Sequence, residues 1–173
     1  MRKWVLVLQC AVIAAVVLVS VGTAKAELGV YAEHMDGGDM GKGYGLGLRT
    51  DLSLMEFLNL GLRAGYYEFD TGDTIMVPVE AVLTAGVPFM LVRVYGGLGV
   101  GYYMFPSGLD LSDEFGFFPL VGASFDIGPL GCFLEARWLF LEADLGSAAD
   151  ALPNSTTADI DSVGISLGMT LKF

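Results

Sequence analysis

SVGISLGMTLKF, residues 162–173, alternates without a break. Val163, Ile165, Leu167, Met169, Leu171 and Phe173 are apolar, whereas Ser162, Gly164, Ser166, Gly168, Thr170 and Lys172 are small or polar. Successive side chains of a β-strand point to opposite sides, so this segment predicts a strand with one wholly apolar face. Leu58, Leu60, Leu62, Ala64 and Tyr66 repeat the pattern against Asn59, Gly61, Arg63, Gly65 and Tyr67. Val92, Val94, Leu98, Val100 and Tyr102 do so against Arg93, Tyr95, Gly97, Gly99, Gly101 and Tyr103. Helical periodicity is missing. After residue 26 the longest apolar stretch, 74–92, is broken by Pro78, Glu80 and Pro88, so it does not read as a membrane helix.

The runs predict eight strands, near 27–36, 43–54, 57–69, 75–87, 91–104, 116–127, 131–143 and 162–173. Each is close to the length that crosses a bilayer at a tilt. Connections near Met55-Glu56, Pro88-Phe89-Met90 and Gly128-Pro129-Leu130 are tight; those near 37–42, 70–74, 105–115 and 144–161 are longer and rich in Gly, Asp, Ser and Thr. Short turns on one side and long loops on the other mark an outer-membrane barrel. The competing fold is a secreted soluble barrel with its apolar face inward. Its exterior would carry scattered Lys, Glu, Thr and Gln. Here the second face holds mostly Gly, Tyr and isolated charges, with Lys172 its only lysine. The expectation is an all-β, antiparallel, eight-stranded transmembrane barrel.

Composition agrees. Of 173 residues, 54% are hydrophobic and 17% charged, which excludes a largely disordered chain. A net charge of −11 argues against nucleic acid as a partner. Two Cys and one His are too few for a structural zinc site, and no cofactor is implied. Residues 1–26, with Arg2 and Lys3 before an apolar stretch and Ala24-Lys25-Ala26 at its end, read as a cleaved signal peptide, with an uncleaved anchor as the alternative. Cleavage would take the charge to −14 and remove Cys10, leaving Cys132 without an intrachain partner. The barrel domain is then 27–173.

Over residues 27–173 the chain resembles the small outer-membrane β-barrel proteins of Gram-negative bacteria, such as the outer-membrane protein A barrel domain of the porin-like superfamily. The most specific feature is the terminal strand ending in Phe173 on the apolar face. The resemblance implies that this strand is the signal read by the barrel-assembly machinery and that the protein sits among lipids of the outer membrane; with the sequence ending at this strand, the peptidoglycan-binding domain which often follows such a barrel is not expected.

With the apolar face toward lipid, the lumen receives Glu33, Arg49, Asp51, Arg63, Glu80, Arg93, Asp126, Glu135, Arg137 and Lys172. These charges are expected to pair, because an uncompensated charge in a low-dielectric interior is costly. A network plugging a narrow barrel is one reading; a gate or ion path is the other. The inward glycines are expected to make room for the long Arg side chains. Tyr67, Phe69, Tyr103, Phe118, Leu120, Leu139 and Leu141 fall inward in the outer half. They form either a vestibule for small hydrophobic molecules or an upper mini-core. Loop acids, among them Asp36, Asp39, Asp70, Asp73, Asp110, Asp113 and Asp150, suggest a solvated rim facing an extracellular partner; divalent cations at Asp36–Asp39 or Asp70–Asp73 are the sharper alternative. No catalytic site is expected. His34 is flanked by Glu33, Met35 and Asp36, and the His followed closely by Ser of lipid-A deacylase barrels is missing.

Overall fold

The computed structural model describes residues 26–37, 41–70, 74–107, 113–144, 157–159 and 161–173. The strands are β1 (Ala26–Asp36), β2 (Lys42–Ser53), β3 (Leu58–Phe69), β4 (Thr74–Phe89), β5 (Val92–Ser107), β6 (Glu114–Ile127), β7 (Leu130–Leu139), β8 (Glu142–Asp144), β9 (Thr157–Asp159) and β10 (Ser162–Lys172). Eight of them close into an antiparallel barrel in the order β1-β10-β7-β6-β5-β4-β3-β2, and β8 and β9 form a separate two-stranded ribbon. The signal-peptide segment lies outside the described residues.

The expected seventh strand, 131–143, is interrupted. Phe140 makes the last ladder contact with β6, exchanging backbone hydrogen bonds of 3.2 and 2.9 Å with Phe117. Beyond it no further ladder pair to β6 forms among the described residues. Leu139 faces Ser162 and Glu142 faces Asp159, two ladders at the same register offset. The ribbon is therefore the β7–β10 hairpin continued above the barrel.

Turn chemistry matches the tight connections. Ile127 pairs with Leu130, so Gly128 and Pro129 make a two-residue turn with Gly128 at φ 62°, a conformation that favours glycine. Phe89 pairs with Val92 across Met90-Leu91, where Met90 takes φ 57° without being glycine. The barrel closes between β1 and β10, from Glu27 opposite Lys172 to Asp36 opposite Val163. Ala26 and Phe173 extend the seam through two backbone hydrogen bonds.

Register settles which face is which. Tyr31, Met35, Tyr67, Phe69, Tyr103, Phe118 and Phe133 are buried inside. Leu46, Leu98, Ile165 and Leu167 are more than half exposed on the outside, a band that water would not tolerate and hydrocarbon would. Aromatic side chains flank it: Tyr44, Tyr102, Phe115 and Phe117 toward the loops, Phe89, Phe125 and Phe173 toward the turns.

Candidate functional site

The lumen holds two knots of charge, each centred on β7, where Glu135 and Arg137 both point inward because they are two residues apart. In the upper knot, Arg137 spans the barrel. Its Nε donates to Glu33 Oε1 of β1 at 2.6 Å, Nη1 to Glu80 Oε1 of β4 at 2.5 Å, and Nη2 to the Tyr67 hydroxyl of β3 at 3.1 Å. Tyr67 in turn donates to Glu33 Oε2 at 2.7 Å, and Tyr103 donates to Glu80 Oε1 at 3.0 Å. The guanidinium carbon also lies 5.1 Å from the ring centre of Phe118. One side chain thus ties β7 to three other strands, which the planar five-donor fork of Arg can do and an ammonium cannot.

In the lower knot, Arg63 of β3 grips Glu135 with both nitrogens, Nη1 on Oε1 and Nη2 on Oε2 at 2.9 Å. Tyr95 donates to Glu135 Oε2 at 3.1 Å. Arg49 binds Asp51 through two hydrogen bonds of 2.7 and 3.0 Å, reaches Glu135 as an ion pair at 3.5 Å, and lies over the Phe133 ring. Charge-assisted, bidentate contacts of this kind are the strong class of hydrogen bond.

The structure thus brings seven of the ten expected charges together in the buried lumen: Glu33, Arg49, Asp51, Arg63, Glu80, Glu135 and Arg137. Three stay apart at the turn-side mouth. Lys172 pairs with Asp126 at 2.6 Å and Glu27 at 3.3 Å, partly open to water. Arg93 donates to the Phe57 carbonyl at 3.3 Å. Its guanidinium rests against the turn between β2 and β3 and forms no ion pair with the knots among the described residues. Tyr67, Phe69, Tyr103, Phe118, Leu120, Leu139 and Leu141 are all at most 3% exposed and form one cluster beside and above Arg137, with Leu120 its cross-strand partner.

Two groups were not marked by sequence reasoning as part of the site. Tyr31 and Tyr95 face inward and meet Tyr67 and Glu135 respectively. Alternation from Glu33 and Arg93 puts both on the inner face, but the partner depends on strands distant in sequence. The glycines also serve a purpose other than the expected one. Aromatic rings, more than arginines, occupy the room they leave: Tyr31 lies over Gly47, Tyr67 over Gly45 and Gly65, Tyr95 over Gly122, Phe133 over Gly168.

Among the described residues no group of three or more His, Cys, Asp or Glu is placed to hold a metal ion. Of the two stretches suggested for divalent cations, Asp39 and Asp73 lie outside the described residues, as do Asp110 and Asp150.

An apolar belt lies outside, charge inside and aromatic girdles at both rims of a closed eight-stranded wall. This is an outer-membrane β-barrel. No protein-family model and no curated protein sequence matches it. Solved structures do. The barrel is similar to Neisserial surface protein A, at 15% identity and a TM-score of 0.64, covering 87% of this chain and 97% of that one. It is similar to the N-terminal β-barrel domain of Pseudomonas aeruginosa OprF (13% identity, TM-score 0.52, covering 86% and 97%). It is also similar to the outer membrane enzyme PagL (15% identity, TM-score 0.51, covering 83% and 98%). At these identities the outer-membrane barrel shares a fold with each and nothing finer.

Proposed function

We propose that the barrel is a non-catalytic, integral element of the outer membrane whose lumen is closed by its charge knots, and which meets partners through its acidic outer loops and the assembly machinery through the strand ending in Phe173. The observation that carries this reading is Arg137: fully buried, it crosses the lumen to β1, β3 and β4 at once, with packed apolar residues above it and the Arg63–Glu135 grip below. An eight-stranded barrel has an interior about wide enough for side chains, so a crossing of this kind obstructs it. The absence of catalysis is part of the proposal. It is supported by the surroundings of His34, whose cross-strand partners are Tyr44 and Ile165, with no Ser, Thr or Cys in either place.

A second reading draws on the apolar cluster of Tyr67, Phe118 and Leu139 stacked directly over the upper knot: rearranged, it could admit small hydrophobic molecules from outside. One experiment tests both. The barrel is refolded into lipid vesicles and assayed for steady ion conductance and for uptake of a hydrophobic dye. The first reading expects neither, with conductance appearing in Arg137→Ala. Steady conductance by the unmodified barrel overturns it; dye uptake without conductance favours the second. Turnover of an ester-linked lipid substrate overturns the non-catalytic assignment.

A further inference from the structure

The lipid-facing wall is polar where β1, β2 and β3 approach the loop side. His34, Tyr44 and Glu68 are successive cross-strand partners there, all outward and exposed, with Tyr66 beside Leu46 one pair lower. They line the loop-side end of a shallow groove of about 580 Å³ on the outer surface. One pair lower the groove is apolar, with Leu46 on β2 and Leu167 on β10 on either side of Ala32, while Ile165 stands opposite His34 across the β1–β10 seam.

The polar atoms of this groove are already oriented. His34 Nδ1 lies 3.2 Å from the Gly43 carbonyl oxygen. A carbonyl can only accept, so Nδ1 carries the hydrogen, and Nε2 is the ring nitrogen left for a ligand. The imidazole stacks against Tyr44, with ring centres 4.7 Å apart. The Tyr66 hydroxyl donates to Glu68 Oε1 at 2.9 Å, which leaves Oε2 to accept. The groove therefore offers Glu68 Oε2 as an acceptor and His34 Nε2 as a second polar contact beside two exposed aromatic rings, Tyr44 at 61% and Tyr66 at 45% exposure.

We propose that this groove binds an acylated saccharide of the surrounding leaflet. The sugar ring would lie against Tyr44 and Tyr66, its hydroxyls meeting Glu68 Oε2 and His34 Nε2, and its acyl chain would follow Leu46, Ala32 and Leu167. Acceptors call for a donor-rich headgroup. A phosphate would face the Glu68 carboxylate with like charge. An ethanolamine head could donate, but a single small ammonium leaves most of a groove of this size unfilled. Aromatic surface with a few aimed polar groups is the composition of a small-molecule site.

The test is lipid retention. The barrel is placed in nanodiscs holding equal amounts of galactosyl diacylglycerol, phosphatidylethanolamine and phosphatidylglycerol with the same acyl chains, and retained lipids are counted by native mass spectrometry. The expected result is about tenfold enrichment of the galactolipid, roughly what two aimed hydrogen bonds supply. Enrichment should fall to parity in Glu68→Gln, which keeps the side chain's shape, and in Tyr44→Leu, and persist in Tyr102→Leu on the far wall. Equal retention of the three lipids overturns the proposal, as does preference for either phospholipid, or enrichment that survives both groove variants. Heat-modifiable migration in detergent confirms that each variant is folded before it is scored.

Discussion

The ring of Phe118 on β6 lies flat across Gly99, its cross-strand partner on β5, so closely that a Cβ at Gly99 would stand 2.2 Å from Phe118 Cζ. The narrow lumen accommodates a large ring only because the opposite residue has no side chain. Gly99→Ala should therefore cost about 1–3 kcal/mol, the range for overpacking a filled interior. Gly96, where a Cβ would meet only the Leu120 carbonyl oxygen at 3.6 Å, is the control: Gly96→Ala should stay within about 0.5 kcal/mol. Urea titration of the barrel in lipid vesicles reads both.

Arg137 serves Glu33 and Glu80 together, so removing it strands two buried carboxylates. Arg137→Met should destabilise by about 3–5 kcal/mol, the cost of breaking a buried pair from one side. Adding Glu33→Gln and Glu80→Gln should recover part of that loss, because the uncompensated charge is then gone. A triple variant less stable than Arg137→Met would show that the carboxylates stabilise the barrel without their guanidinium.

The turn-side pair behaves differently. Lys172 and Asp126 sit 2.6 Å apart but remain open to water, with side chains 35% and 40% exposed. Lys172→Met should cost no more than about 1 kcal/mol, and that small cost should shrink further in high salt. Unfolding midpoints at low and high ionic strength check it.

Membrane-facing polarity can be tested at Leu98, 67% exposed near the centre of β5. Leu98→Arg should destabilise the barrel by about 2–4 kcal/mol in a bilayer if the site lies near the midplane. In a soluble barrel the same exposed position would tolerate Arg. Refolding yield and unfolding free energy in vesicles separate the two.

Met90 adopts φ 57° at the tip of the β4–β5 turn, where its side chain is 92% exposed. Met90→Gly removes the Cβ that makes the left-handed region unfavourable and should stabilise by up to about 1 kcal/mol, less what glycine's freedom costs in the unfolded chain. A higher urea midpoint with an unchanged slope is the expected outcome.

Alternation carried most of the architecture because a strand's period is two and this wall has two unlike faces. Ser162–Phe173 shows it at once, and a slip of one residue would have put Arg137 in lipid. The inward charges were legible for the same reason. What could not be read was pairing around the barrel: that Arg137 meets Glu33, 104 positions away, or that Glu135 takes Arg63 rather than its own neighbour. Arg93 and Asp126 carry the right alternation yet miss the knots, since the face a side chain points to is set locally and its depth is set by the tilt of the whole wall. The break after Leu139 was hidden likewise, because residues 140–143 keep an apolar and acidic mix that suits either a wall or a ribbon.

The seam between β1 and β10 has a consequence in time. Glu27 and Lys172 must find each other across almost the whole described chain before the wall exists as a closed surface. Until then Glu33 and Arg137 face each other across an open edge, and no lumen separates them from water or lipid. Contacts so distant in sequence form slowly. The final strand is thus a latch: the charges in the middle become costly to separate only at the moment it engages, so closure rather than strand formation should set the pace of assembly.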